Sequence, residues 1–304
     1  MKRKTGNFFW VLFIFAIIVS AVLIWIVRSN ASFTETFYSL YNNKVETPIR
    51  AVLLSDLHQK EFDDGNGKLA ARIQELKPDM ILIAGDMVNK KDTDIAGCLS
   101  LCKNLAEIAP VYYGFGNHEN EIVYGSELNR EFLEKNEKLS EDKSENFTPI
   151  IVDDSLIAGL EEAGVTVLQN ESVTVQVKEN QIDIGAVSTN LSSFWPYSGQ
   201  FIYDFSYHNS EHFKILISHR PEPVMEYIPD YPVDLVVSGH NHGGIIRIPG
   251  RGGLLSVDEG LFPTYDEGIF QYDSLTMIVG RGLGSHGWIP RIFNKPELVV
   301  IDIN

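Results

Sequence analysis

Asp234-Leu235-Val236-Val237-Ser238-Gly239-His240-Asn241-His242-Gly243-Gly244 runs from an apolar segment into two histidines set among glycines. The apolar part reads as a buried strand, so His240 and His242 fall just past its carboxyl end. Open α/β sheets bind ligands at that edge. Histidines two apart in looping backbone can approach a common centre, and the glycines let the chain come close without a Cβ clash. Alone, such a pair is more often hydrogen-bonded loop histidines than a metal site. Its weight comes from four other strand-like segments that end in similar donors.

Residues 49–55 form an apolar strand that delivers Asp56-Leu57-His58. Residues 69–76 have helical spacing, stopped by Lys77-Pro78-Asp79. Met80 to Ala84 is a second buried strand, ending in Gly85-Asp86, and 95–108 is helical again. Residues 111–115 form a third strand, ending in Gly116-Asn117-His118-Glu119. Three strand-helix units in a row predict a largely parallel sheet. Residues 154–163 read as a helix, and 165–168, 172–177 and 181–187 as short antiparallel strands. Aromatics are scattered over 188–212. Residues 213–217 form a strand ending in Ser218-His219-Arg220, followed by a short helix to Tyr227. After the opening motif come a Gly-rich loop to Gly260 and strands at 275–279 and 298–303.

The ends of the chain's core frame a different feature. Phe8 to Val27 is an uncharged, almost wholly apolar run of the length that crosses a bilayer. Trp25-Ile26-Val27-Arg28 makes a poor signal-peptidase site, so 8–27 is expected to be an uncleaved transmembrane anchor after a short cytoplasmic stretch, 1–7. Lys2, Arg3 and Lys4 precede it, which places the amino terminus in the cytoplasm and the body outside. Residues 28–48 are expected to be a linker, and 49–304 one domain with a charged insertion at 121–148 that reads as a surface excursion or a lid. With 44% hydrophobic residues the domain can build a substantial core. Its charge is strongly negative: the net charge of −16 includes three cations before residue 28, leaving 22 Lys and Arg against 41 Asp and Glu. Nucleic acid is therefore not an expected partner. Cys98 and Cys102, four apart on a helix, are read as small core residues.

Collecting what lies just after the strands gives Asp56, His58, Asp86, Asn117, His118, His219, His240 and His242. All are oxygen or imidazole donors, a set that suits Mn, Fe, Zn or Mg. The order Asp-X-His, Gly-Asp, Gly-Asn-His-Glu, His, Gly-His-X-His resembles the calcineurin-like metallophosphoesterase superfamily over residues 49–304. Gly239 to Gly244, Arg247-Ile248-Pro249, Arg281 to Gly284 and Pro296-Glu297 are similar to its membrane-anchored bacterial YkuE-like branch.

The resemblance implies a four-layer α/β/β/α sandwich of two mixed sheets. It implies two divalent ions, manganese foremost, one held by Asp56, His58, Asp86 and His242, the other by Asp86, Asn117, His219 and His240. Asp86 would bridge them, a shared hydroxide would attack phosphorus, and His118 would protonate the leaving oxygen with Glu119 orienting it. Many members carry Asp where this chain has Glu119. Arg220, Arg247 and Arg281 are candidate phosphate contacts, with pairing to carboxylates as the alternative. The expected activity is hydrolysis of phosphodiester or pyrophosphate bonds on a lipid or cell-envelope substrate. Some relatives cleave the pyrophosphate of UDP-2,3-diacylglucosamine, a cytoplasmic substrate that an outward-facing body would not meet. A non-catalytic, metal-bound binding protein is the reading from another class.

Overall fold

The computed structural model describes residues 4–89, 94–121, 154–187, 194–256, 258–285 and 289–304. Elements are numbered in chain order; β10 (Arg247–Ile248) pairs with β11 (Gly252–Gly253) and β12 (Leu255–Ser256) with β13 (Gly260–Leu261), outside the two main sheets. One six-stranded sheet holds β1 (Thr34–Leu40), β2 (Ile49–Leu54), β3 (Met80–Ala84), β4 (Val111–Gly114), β5 (Val165–Leu168) and β16 (Glu297–Ile303), in the order β1-β16-β2-β3-β4-β5. The other holds β6 (Glu171–Val177), β7 (Asn180–Ala186), β8 (Phe213–Ile217), β9 (Leu235–Ser238), β14 (Gly268–Tyr272) and β15 (Leu275–Val279), in the order β14-β15-β9-β8-β7-β6. Both are mixed: β2 to β5 run parallel and β16 antiparallel to β2, while β7, β8, β9 and β15 run parallel between antiparallel edges β6 and β14.

Why the central strands read as unbroken apolar runs is visible in their packing. Val52 and Leu54 face outward onto α2 (Gly67–Leu76), α3 (Ala96–Ala106) and, after α4 (Asn117–Glu121), α5 (Asp154–Glu162). Ala51 and Leu53 face inward, meeting Ile215, Ile217, Leu235 and Val237 of the second sheet. The outer face of that sheet, with Leu216, Val236 and Met277, is covered by α6 (Phe194–Tyr207) and α7 (Glu222–Tyr227). A sheet buried on both sides needs apolar residues at both alternations. Each large aliphatic side chain so buried contributes about 1.5–3 kcal/mol. The four-layer sandwich is thus as expected.

Several local expectations change. The segment 28–48 is not simply a linker, since β1 lies within it as an edge strand paired in parallel with β16. As an edge it has one partner and a partly exposed surface, so it lacks the apolar signature of the inner strands. β5 is parallel to β4, not antiparallel. A helix, α6, occupies most of the aromatic stretch, and β14 forms an unforeseen hairpin with β15. Residues 122–153, which hold nearly all of the expected insertion, lie outside the described residues. The apolar amino-terminal run is one helix, α1 (Lys4–Asn30), long and apolar enough to cross a membrane.

Candidate metal centre

The donors read from the sequence come together at the carboxyl ends of β2, β3, β4, β8 and β9. Two backbone features put them there. Asp56, His58, Asp86, His240 and His242 all have positive φ, between 49° and 71°, a conformation that costs non-glycine residues about 1–3 kcal/mol and gathers at functional sites. The chain leaves β2, β3 and β9 in sharp left-handed turns that bring these side chains together. The glycines supply the space: a Cβ on Gly116 would overlap Asp86, and one on Gly239 would overlap Asp56 and Ser55.

Two clusters share one wall. In the first, His58 Nε2 lies 3.2 Å from His242 Nε2 and 3.9 Å from Asp86 Oδ2, and His242 Nε2 is 3.7 Å from Asp56 Oδ1. In the second, His219 Nε2 lies 3.2 Å from both Asp86 Oδ2 and His240 Nδ1. The sets Asp56/His58/His242 and Asp86/His219/His240 are each tight enough to hold a metal ion, and so is His58/Asp86/His118. Asn117 Oδ1 is buried with no hydrogen-bond partner, an oxygen whose desolvation a cation would offset. The donor set therefore fits divalent metal. His118 Nε2 stands 3.8 Å from Asp86 Oδ2, and its backbone N–H donates to Asp86 Oδ1 at 2.8 Å.

Neighbouring groups aim the rings. His219 Nδ1 lies 2.6 Å from the carbonyl of Ala84, so Nε2 faces the centre. His240 Nε2 lies 2.8 Å from Asp258, so Nδ1 faces the centre. The fully buried Arg291 donates to the carbonyls of His242, Gly284 and Arg281, and Asn294 also donates to His242 O at 2.6 Å.

Electrostatics follows from burial. It pushes the Asp56 carboxyl up to about 6, with His219 pulling the other way. At Asp86 burial also pushes upward, but the charges of His219, His118 and His58 outweigh it and hold the carboxyl well below the usual range. For His219 the attraction of Asp86 and Asp56 outweighs burial and raises the ring to about 9. Burial lowers His240 to about 4 and His242 further, the neutral state a metal ligand needs. Burial brings even Arg291 down to about 10.

Two expectations need correction. Glu119 does not serve chiefly to orient His118: its carboxylate accepts from the backbone N–H groups of Asp86, Met87 and Gly116 and from the Tyr113 hydroxyl, at 2.6–2.9 Å. It ties the β3 and β4 turns together and so fixes Asp86. Arg247 and Arg281 are held by carboxylates, Arg247 by Asp266 and Glu267 and Arg281 by Glu267 and Glu297. Arg220 pairs with Asp258 at 3.2 Å and thereby stays beside His240. Sequence reasoning missed Asp258, Arg291 and Asn294, none of which follows a strand of the two main sheets. The single cation inside Ile289-Pro290-Arg291-Ile292-Phe293 was the one available signal for Arg291.

A two-sheet sandwich with paired His/Asp clusters at its strand ends defines a metal-dependent hydrolase. Residues 49–244 match the calcineurin-like phosphoesterase family, and the chain belongs to it. It is 26% identical to the UDP-2,3-diacylglucosamine pyrophosphatase LpxG of Chlamydia muridarum, over 83% of each chain. It is 27% identical to the metallophosphoesterase YkuE of Bacillus subtilis, over 84% of this chain and 78% of YkuE. It is 25% identical to the phosphodiesterase YaeI of Escherichia coli, over 84% of this chain and 82% of YaeI. The chain is accordingly a metal-dependent phosphoric ester hydrolase.

Proposed function

We propose that this is a membrane-anchored, dinuclear phosphoesterase that hydrolyses phosphodiester or pyrophosphate bonds in a lipid-linked or cell-envelope substrate. The observation that carries the reading is the pair of His/Asp clusters, Asp56/His58/His242 and Asp86/His219/His240, with Asp86 also 3.9 Å from His58 Nε2 and the unpartnered oxygen of Asn117 next along the chain from His118. One ion would be held by Asp56, His58, Asp86 and His242, and the other by Asp86, Asn117, His219 and His240. When bound, two such ions, manganese as the first choice, supply a nucleophile at neutral pH and charge against the phosphoryl oxygens.

The remaining chemistry belongs to side chains. Asp86 holds the halves in register through its contacts with His58, His118 and His219. His118, anchored by its backbone to Asp86, carries at Nε2 the proton for the leaving oxygen. Arg220 is the phosphate contact retained, because the carboxylate it pairs with, Asp258, also meets His240 Nε2 and so keeps the guanidinium beside the His240 half of the site. Helix α1 would span the membrane with Lys2, Arg3 and Lys4 in the cytoplasm, putting the body outside.

LpxG favours a pyrophosphate-bearing nucleotide lipid as a second substrate reading, and protease access to the body in intact spheroplasts decides whether such a cytoplasmic substrate is within reach. The chemistry is tested on the full chain in detergent, with bis-p-nitrophenyl phosphate against p-nitrophenyl phosphate in Mn, Mg, Zn or chelator. Diester cleavage that needs metal and is absent in Asp86→Ala is expected. No turnover despite two bound ions would return the weight to a binding protein.

A further inference from the structure

The strand pairing puts the metal centre and the anchor at the same end of the first sheet. β1 begins at Thr34, four residues past the end of α1, and Thr34 pairs with Glu297, the first residue of β16. β2 runs antiparallel to β16, with Leu53 opposite Val299. The end of β2 that delivers Asp56 and His58 is therefore the end at which the anchor leaves. Strand β1 then carries the chain about 20 Å away, to Leu40 beside Ile303.

The anchor does not leave freely. Trp25 packs on Phe293 with ring centroids 4.9 Å apart, and Asn30 donates to the carbonyl of Arg291 at 2.9 Å. From Phe293 a continuous surface leads outward: it lines one cleft with Ile248, Pro249 and Arg251, and the Arg251 guanidinium lies 4.6 Å over the ring of Phe262. Next along the chain from Phe262 is Leu261, 67% exposed; Phe293 is 59%, Phe262 44% and Ile289 43% exposed. A second cleft at the foot of α1 is lined by Arg28, Ser29, Ser32 and Lys295 together with Trp25. Among the described residues neither cleft is lined by a carboxylate, although the body is strongly acidic. Aromatic and aliphatic side chains interleaved with cations, next to a membrane span, form the surface that settles into an anionic headgroup layer.

We infer that the face formed by residues 247–251, 261–262 and 289–293 seats in the headgroup layer of the bilayer that α1 crosses, so that the metal centre opens toward the membrane surface. The inference rests on the anchor reading above and adds the depth at which the enzyme meets its substrate: a phosphate at the level of lipid headgroups. The same loops carry Asp258 and Arg291, which position His240 and His242, so the seated face and the metal centre share a framework.

The test uses the full chain in nanodiscs of phosphatidylcholine and phosphatidylglycerol. A polarity-sensitive fluorophore is placed by Leu261→Cys, Ile289→Cys, Val19→Cys or Tyr41→Cys, the native Cys98 and Cys102 being buried. Quenching by spin-labelled lipids is expected to be deep at 19, shallow but strong at 261 and 289, and absent at 41, which is 86% exposed and lies past the far end of β1. Quenching at 19 with 261 or 289 behaving like 41 overturns the seating while the anchor stands. No quenching at 19 removes the anchor, and the seating with it.

Discussion

Around His242 the site is braced from the carboxyl-terminal loop: Arg291 and Asn294 hold the His242 carbonyl, and the same loop carries Phe293 against Trp25 of α1. Around His219 it is braced from within a sheet, where the Ala84 carbonyl at the end of β3 takes the ring; His240 is braced by Asp258, which lies in the loop region 249–260 and also pairs with Arg220. The half built on Asp56, His58 and His242 is therefore coupled to helix α1 through one short loop. The half built on Asp86, His219 and His240 leans on the sandwich core through Ala84 and on a loop only through Asp258. Asp86 lies where they meet, clamped by Glu119 through its own backbone N–H and those of Met87 and Gly116.

The comparison breaks most severely at the shared residue. Asp86→Ala is expected to abolish metal-dependent turnover and reduce bound metal from two ions per chain toward none, measured by elemental analysis of the folded protein. His118→Ala should lower kcat by about 10²–10⁴-fold with metal content unchanged; loss of one ion instead would make His118 a ligand, as its closeness to Asp86 and His58 also allows. The two braces are then separable. Arg291→Met is expected to weaken the Asp56 half alone and Asp258→Asn the other half alone, each by about 10–100-fold in metal affinity, so that each titration loses a different one of two binding steps. Equal loss of both steps in either variant would erase the distinction.

The smallest effect is in pH. A proton on a ligand competes with metal, so affinity falls as pH drops below the ligand's own value. With Asp56 raised to about 6 and His219 to about 9, the Asp56 half should reach full affinity just above pH 6. The His219 half should keep gaining, and releasing protons on binding, up to about pH 9. Calorimetric titrations in buffers of different ionisation enthalpy read both.

The donors were legible because each follows an apolar run, and a short apolar run bounded by Gly and polar residues marks a strand end wherever the strand lies in the sheet. Asp56, His58, Asp86, Asn117, His118, His219, His240 and His242 needed no knowledge of neighbours. Glu119 was legible as a member of the motif but not in its task, since its donors, Tyr113 and three backbone N–H groups, depend on how two turns meet. Asp258, Arg291 and Asn294 were illegible because they sit in irregular loops and act across long separations, Arg291 on a residue 49 positions away. The three arginines show the same limit: their residue type suits phosphate, but position alone decided that Arg247 and Arg281 would be held by carboxylates.

The sequence by itself determined the alternation that buries both faces of the central strands, the chemical identity of the side chains gathered at the strand ends, and an amino-terminal helix of membrane-spanning length. These are local properties, written in spacing and polarity. Only the tertiary structure decided which donors share a cluster, which carbonyl or carboxylate aims each ring, that β1 joins the sheet as an edge, and that α1 leaves at the site's own end. Those depend on strand order and direction, and β16 sets them by returning from the end of the chain to lie between β1 and β2.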